Sequence, residues 1–437
     1  MKPHRFLDRI AAHDLAPAYG FVRKIAPGRI EASGPIGAPG DLCAIEGGDG
    51  PVAAEIVAID PERVVLLPLS TDADIAPNAR VVARGMRALA PVGNGFAGRA
   101  IDALAQPIDG GIPIVADVHA PLAGSVPRPL DRADPSRVLE TGIRAIDGLL
   151  TLGIGQRVGV FAASGVGKTS LIEQLVAQVA ADRCILCLVG ERGREVESAW
   201  RTLAARPDAK RFTLIASTSD ESAALRVRSV QQALALAEHW RARGEHVVLM
   251  VDSITRVAMA LREAGLAAGA PPTVRAYTPN VFAALPRLVE RCGALAEGGA
   301  ITAIMTVLSE TDDVDDPIVE LMKSLLDGHI VLSRGLAEQG HFPAIDVPRS
   351  VSRRAERLVS PDHAKTTRAA AAALSIYDEA RVMIDSGVYK AGGNAAIDRA
   401  IALRPALTAF LRQSRDERNT LAQTIAELAG LAGSAAA

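Results

Sequence analysis

The sequence predicts an α/β fold in which a parallel-sheet core is flanked by an N-terminal β-barrel and a C-terminal helical domain. Three observations predict it. Short β-rich runs crowd residues 19–90, apolar strands alternate with helical stretches over residues 91–360, and strand character gives way to Ala-rich, Leu-spaced segments over 361–437. A chain of 437 residues also exceeds what one compact core holds, so several domains are expected on size alone.

The first 20 residues, "MKPHRFLDRIAAHDLAPAYG", lack the apolar core of a signal peptide, and no later window offers the ~18 uncharged apolar residues of a membrane span. A cytoplasmic protein is expected. If residues 1–18 are helical, Phe6, Leu7 and Ile10 form an apolar stripe that packs either on the chain's own barrel or on a partner.

The runs "GFVRKIA", "DLCAIEG", "AAEIVAID" and "RVVLLPLS", punctuated by Gly, Pro and Asp, suit a small antiparallel barrel. Beyond a Pro-rich passage around "PLAGSVPRPLDRADPSR", the strands "RVGVFA", "CILCLVG", "FTLIAS", "HVVLMVD" and "ITAIMTVL" predict a parallel sheet. Cys184 and Cys187 fall three apart on one of these strands and point to opposite faces, which makes them core residues and a poor metal or redox pair. Segments such as "HAKTTRAAAAALSIYDEARVMIDSG" then predict helices to the C-terminus. Lys and Arg number 48 against 50 Asp and Glu, so charge gives no reason to expect nucleic acid as a partner.

The stretch "VGVFAASGVGKTSLIEQL" carries the chemistry. It lies between an apolar strand ending near Ala162 and an amphipathic helix with Leu171, Leu175, Val176 and Val179 on one face, the context of a phosphate-binding P-loop. Residues Ala163, Ser164, Gly165, Val166, Gly167, Lys168, Thr169 and Ser170 are the expected nucleotide contacts. Gly165 and Gly167 permit backbone conformations that aim N–H groups inward. Lys168 then neutralises the β- and γ-phosphates, and Thr169 offers its hydroxyl to magnesium. The usual first glycine is Ala162 here, where a methyl is tolerated as the chain leaves the strand.

Asp252 ends "HVVLMVD", a strand expected to lie next to the loop strand, and so is placed to hold magnesium through water. Glu191, in "VGERGREVES", stands at another strand's C-terminal edge, where open α/β sheets form their ligand crevice. On charge pattern alone Glu191 reads as an exposed ion pair with Arg192 or Arg194.

Taken together, "TGIRAIDGLLTLGIGQRVGVFAASGVGKTS", "VGERGREV", "VDSITR", "LPRLVERCG" and "LDGHIVLSRGLAEQGHFPAIDVPRSVSR" resemble the rotary and secretion ATPases related to the F-type ATP synthase β subunit, with their RecA-like core. The resemblance implies ATP and Mg²⁺ as ligands and reverses the reading of Glu191, which becomes the residue that polarises the attacking water. It places Arg192 and Arg256 near the γ-phosphate. Arg353, in "SVSR", matches the arginine finger supplied by a neighbouring subunit; the run Arg349, Arg353 and Arg354 alone would read as solvated surface. Such a finger contributes on the order of 10³ to 10⁵ in rate. Phe342, in "GHFPAID", falls where these enzymes set an aromatic ring against adenine, with core packing as the plainer alternative.

Within that group, the C-terminal "YDEARVMIDSGVYKAGGNAAIDRAI" resembles the flagellar and virulence type III export ATPases, with Tyr377, Gly387, Tyr389, Gly392 and Asp398 at the spaced positions. The resemblance implies a homohexamer that hydrolyses ATP to ADP and phosphate at its subunit interfaces, peripherally associated with an inner-membrane export apparatus. Implied partners are a dimeric regulator at residues 1–18, a central stalk protein, export chaperone–substrate complexes and an export gate. A hexameric RNA translocase and a nonhydrolytic rotary subunit are the rivals; few N-terminal aromatics oppose the first and Glu191 the second. One departure is "VLSETDDVDDP", whose Asp312, Asp313, Asp315 and Asp316 read as a solvated acidic loop, since no His or Cys accompanies them.

Overall fold

Residues 18–70, 74–84, 88–309 and 316–434 are described by the computed structural model of the chain. The N-terminal stripe of Phe6, Leu7 and Ile10, and Asp312, Asp313 and Asp315 of the acidic loop, lie outside the described residues. Asp316 is described, and its carboxylate accepts from the N–H groups of Ile318 and Val319 as a helix N-cap.

The β-rich segment closes on itself. Strands β1 (Tyr19–Ala26), β2 (Arg29–Ala32), β3 (Leu42–Gly47), β4 (Gly50–Asp60), β5 (Arg63–Pro68) and β6 (Arg80–Ala83) form a closed barrel in the order β1-β2-β5-β4-β3-β6. Alternation sets its interior, since Val22, Ile30, Ile45, Ile56, Leu66 and Val81 turn inward and are buried. Closure leaves no strand edge to pair with another chain.

The core strands are β7 (Ala100–Ile101), β8 (Arg157–Ala162), β9 (Arg183–Glu191), β10 (Phe212–Thr218), β11 (His246–Asp252), β12 (Ala300–Leu308), β13 (Gly328–Val331) and β14 (Val351–Ser352). Their spatial order is β14-β13-β8-β12-β11-β9-β10-β7, parallel except for β14 at the edge. Both faces are covered, which explains the near-continuous apolar strands. On β9, Cys184, Leu186 and Leu188 enter one core, shared with Leu171 and Leu175, while Ile185, Cys187 and Val189 enter the other, shared with Leu234 and Val257.

One expectation is corrected by this order. The strand that ends in Asp252 does not adjoin the loop strand, because β12 pairs with both β8 and β11 and lies between them. Local pattern cannot encode strand order, which is set by where the crossover helices dock.

Helices α1 (Lys168–Gln178), α2 (Gly193–Ala204), α3 (Ala223–Arg241), α4 (Ile254–Ala267), α5 (Pro279–Glu290) and α6 (Pro317–Leu325) belong to the core, and α7 (Pro361–Asp385), α8 (Ala395–Leu411) and α9 (Leu421–Ser434) form the helical region. The two are fastened through residues 142–148. The carbonyl of Gly148 accepts from His363 Nε2 at 2.8 Å and from Thr367 Oγ1 at 2.9 Å. Buried Arg144 donates to the carbonyls of Phe410 and Arg412, and Gln413 bridges the Arg144 N–H and the Gly142 carbonyl. At the far tip, Asp398 accepts from Tyr389 Oη at 2.9 Å and from the Gly392 N–H at 3.0 Å. Gly387 and Gly392 have φ of 71° and 87°, so this turn favours glycine at both places.

Candidate active site

The loop strand β8 runs into Ala162, whose methyl is buried in the core and whose φ is not positive, so the position does not need a glycine's conformational freedom. Past it, Gly165 and Gly167 take φ of 80° and 93°, the left-handed conformation that other residues avoid. Gly167 caps α1 with no side chain, and the first turn of α1 carries no acid. The orphan N–H groups and the positive helix end therefore face the loop uncompensated, the requirement for an anion. Thr169 is exposed on that first turn.

Three charged side chains converge beside it. Lys168 Nζ is 2.5 Å from Asp252 Oδ1 and 3.7 Å from Glu191 Oε1, and the three side chains are only 12 %, 5 % and 15 % exposed. Two carboxylates share one ammonium. Burial pushes the pKa of Glu191 up, Lys168 pulls it back, and the charge of Asp252 raises it further. The ion pair with Arg192 or Arg194 is not what forms: both arginines are exposed, with Arg192 at the N-cap of α2.

Asp252 reaches the loop across the intervening strand with help from that strand. Thr306, on β12, donates its hydroxyl to Asp252 Oδ1 at 2.7 Å. Sequence reasoning missed Thr306, although hydroxyls at 302 and 306 in the otherwise apolar "ITAIMTVL" share one face and signal a polar task.

Arg256 packs its side chain against Gly190, the residue before Glu191. A Cβ on Gly190 would sit 3.3 Å from the Arg256 side chain, and Gly190 has φ of 68°. The Arg256 Nε is buried with no hydrogen-bond partner. Such an unmet donor is costly unless something fills it. Phe342 is 45 % exposed, so core packing is not its role; its ring edge lies 3.2 Å from where a Gly167 Cβ would stand. Ser170 accepts a hydrogen bond from Arg415, a residue sequence reasoning did not single out.

Arg353 is the site residue that is not brought in. It follows β14, which pairs with Gly328 and His329 at the start of β13, and its N–H and Nη2 donate to the carbonyls of Asp327 and Lys323. Gly328 pairs with Val158, near the start of the loop strand, so Arg353 and the loop occupy opposite ends of the sheet. The six residues of β8 span about 17 Å, beyond the reach of one arginine. Its exposed side chain cannot serve its own loop.

Thr169 and Asp252 are hard oxygen donors, the type magnesium selects, and two protein ligands beside phosphate and water suffice for it. Among the described residues no group of three or more His, Cys, Asp or Glu forms a metal cage.

Known proteins resemble the chain in sequence and fold. Residues 142–352 match the nucleotide-binding domain of the ATP synthase alpha/beta family, and residues 359–430 match the type III secretion EscN ATPase C-terminal domain. The flagellum-specific ATP synthase of Bacillus subtilis is 42 % identical over 99 % of each chain. The type 3 secretion system ATPase of Sinorhizobium fredii is 44 % identical over 85 % of this chain and 82 % of that one. The assembled ATPase EscN of enteropathogenic E. coli superposes with a TM-score of 0.89 at 36 % identity, covering 94 % of this chain and 99 % of EscN; with its central stalk EscO the TM-score is 0.86 at 35 % identity, over the same 94 % and 99 %. With near full-length relatives at this identity, the phosphate loop and the helical region fall into one family: the chain belongs to the flagellar and type III secretion export ATPases, a branch of the ATP synthase alpha/beta family.

Proposed function

We propose that the chain is the Mg-ATP-hydrolysing homohexameric motor of a type III export apparatus, the flagellar one, releasing and unfolding export substrates from their chaperones. The observation that carries the reading is the Lys168, Glu191 and Asp252 cluster at the mouth of a helix N-terminus, with Arg353 out of reach of the same loop. Such a site needs a second protomer to be complete.

In this reading the loop N–H groups and Lys168 bind the β- and γ-phosphates. Thr169 and Asp252 would hold magnesium, which supplies charge neutralisation between those phosphates. Glu191, with its raised proton affinity, orients a water and accepts its proton as the oxygen attacks the γ-phosphorus. The bond from phosphorus to the bridging oxygen breaks, giving ADP and phosphate. The unmet Arg256 Nε finds an acceptor on the γ-phosphate, Arg192 stands near it from the N-cap of α2, and a neighbour's Arg353 stabilises the charge that develops.

The flagellar assignment is supported by the flagellum-specific ATP synthase of Bacillus subtilis, which matches over 99 % of both chains. A virulence export ATPase is the second reading. Residues 1–18 would hold the dimeric regulator, and the assembled chain would take a central stalk, as EscN does with EscO. Chaperone–substrate complexes and an export gate complete the partner set of a cytoplasmic protein held peripherally at the inner membrane.

Two variants test the site. Lys168→Ala should lose both nucleotide binding and turnover, whereas Glu191→Gln should keep binding and lose turnover by about 10²-fold or more. Wild-type turnover in either variant would reject the assignment. Turnover that depends on added RNA would favour the translocase rival instead.

A further inference from the structure

We propose that Gln156, at the foot of the loop strand, is the positioning residue that aims Arg353 into the neighbouring protomer's site. The segment that bears a protomer's own phosphate loop at one end then sets, at its other end, the finger which that protomer supplies. The inference rests on reading Arg353 as a finger that acts across the subunit interface. An arginine side chain turns about several bonds, so it meets a developing charge in a set place only if its root is held. Arg353 follows β14, an antiparallel edge strand of only two residues paired with Gly328 and His329, and so short a ladder fixes little by itself.

Gln156 supplies what the ladder lacks. It is wholly buried, and its Nε2 donates to Ser352 Oγ at 3.1 Å and to the Asp327 carbonyl at 3.3 Å, while its Oε1 accepts from the Gly153 N–H at 2.8 Å. Ser352 immediately precedes Arg353, and its Oγ donates onward to the Thr151 carbonyl at 2.8 Å. The Asp327 carbonyl is the same one that accepts the Arg353 N–H, at 3.0 Å. Both residues that fix the finger's root therefore meet in one amide. Asp327 is itself immobilised, since its carboxylate accepts from the N–H and Nε of Arg157 at 3.0 Å and from its Nη2 at 3.1 Å. Gly328 lets the parts approach, because a Cβ there would stand 2.6 Å from the Val351 carbonyl and 3.4 Å from Gln156 Nε2. A leucine at 156 would fill similar space with no polar group to satisfy, so a buried amide that donates both N–H groups to the root of Arg353 points to a positioning task.

Gln156→Leu and Ser352→Ala test this in the full chain, by steady-state phosphate release and by calorimetric binding of a nonhydrolysable ATP analogue with magnesium. Each should lower kcat about tenfold, the effect of one or two lost hydrogen bonds, and leave analogue binding unchanged. Ser352→Ala, the smaller change, decides the matter should Gln156→Leu not fold. A fault in packing would also slow turnover, so the deciding measurement uses mixed rings, in which a Lys168→Ala chain supplies the finger and an Arg353→Ala chain supplies the loop. Turnover restored by mixing should fall about tenfold when Ser352→Ala is added to the Lys168→Ala chain, and should hold when it is added to the Arg353→Ala chain; Gln156→Leu should show the same asymmetry. An equal fall from either chain would mean that the network supports its own loop, and wild-type kcat in both single variants would mean that the ladder suffices; either result overturns the proposal. Mixed rings of Lys168→Ala and Arg353→Ala that form but restore no turnover would instead sink the finger reading, and the proposal with it.

Discussion

A ring whose sites are shared can be repaired by mixing two kinds of dead subunit. Lys168→Ala removes the loop's charge but leaves Arg353, and Arg353→Ala does the reverse. Each homogeneous ring lacks one half of every site, and loss of the finger alone should lower turnover by about 10³-fold or more. In a one-to-one mixture, a site works when an intact loop meets an intact neighbouring finger. With random assembly through head-to-tail interfaces that occurs at about one site in four, so turnover should return to about a quarter of wild type. The separation of Arg353 from its own loop, a full strand length, is what makes that number a prediction about partners. Steady-state phosphate release is the assay, with native mass spectrometry confirming mixed rings. If mixed rings form and turnover stays at the level of the parents, or if Arg353→Ala alone turns over normally, the finger does not act across the interface.

Two further outcomes follow from buried groups. Thr306→Val keeps shape and removes the hydroxyl that donates to Asp252; a hydrogen bond to a buried carboxylate contributes about 1.5–3 kcal/mol, so kcat/KM should fall about tenfold, read from initial rates at limiting magnesium, and unchanged rates would remove Thr306 from the site. Glu55, on β4, faces Arg228 of α3 at 3.7 Å across the seam between barrel and core, and burial pushes its pKa up to about 7 against the pull of Arg228. The folded state thus holds a proton that the unfolded chain releases near pH 4.5, so this group's contribution falls as pH rises from about 4.5 to 7. The full shift would correspond to about 3 kcal/mol, reduced by the fifth of the side chain that meets solvent. Glu55→Gln should raise the melting temperature at pH 8 more than at pH 5; equal shifts at both would mean Glu55 is ionised throughout.

Much of this was legible in the chain itself. The loop, its two left-handed glycines, the strand ends bearing Glu191 and Asp252 and the opposed cysteines are local features, set by spacing of two and by backbone sterics. What could not be read was relative position. The place of β12 between β8 and β11 made Thr306 necessary, and no local pattern says which strand lies between two others. Arg415 is 245 residues from Ser170 along the chain, and it looked like any charge in a polar turn. Glu191 shows the reverse case, since charge pattern suggested a surface pair, while burial beside Lys168 joined it to the loop.

The fastening of the helical region has a consequence for how this chain tolerates alteration. Its first helix is held at the Gly148 carbonyl and its second at Arg144, four residues apart on one short segment, while residues 386–394 at the tip are mostly exposed and bonded to one another, to the last turn of the first helix and to Asp398. Each half is moored separately at the base. A polypeptide nicked or lengthened at the tip keeps both moorings, which makes that turn the natural place to insert a label or a foreign domain without loosening the motor beneath.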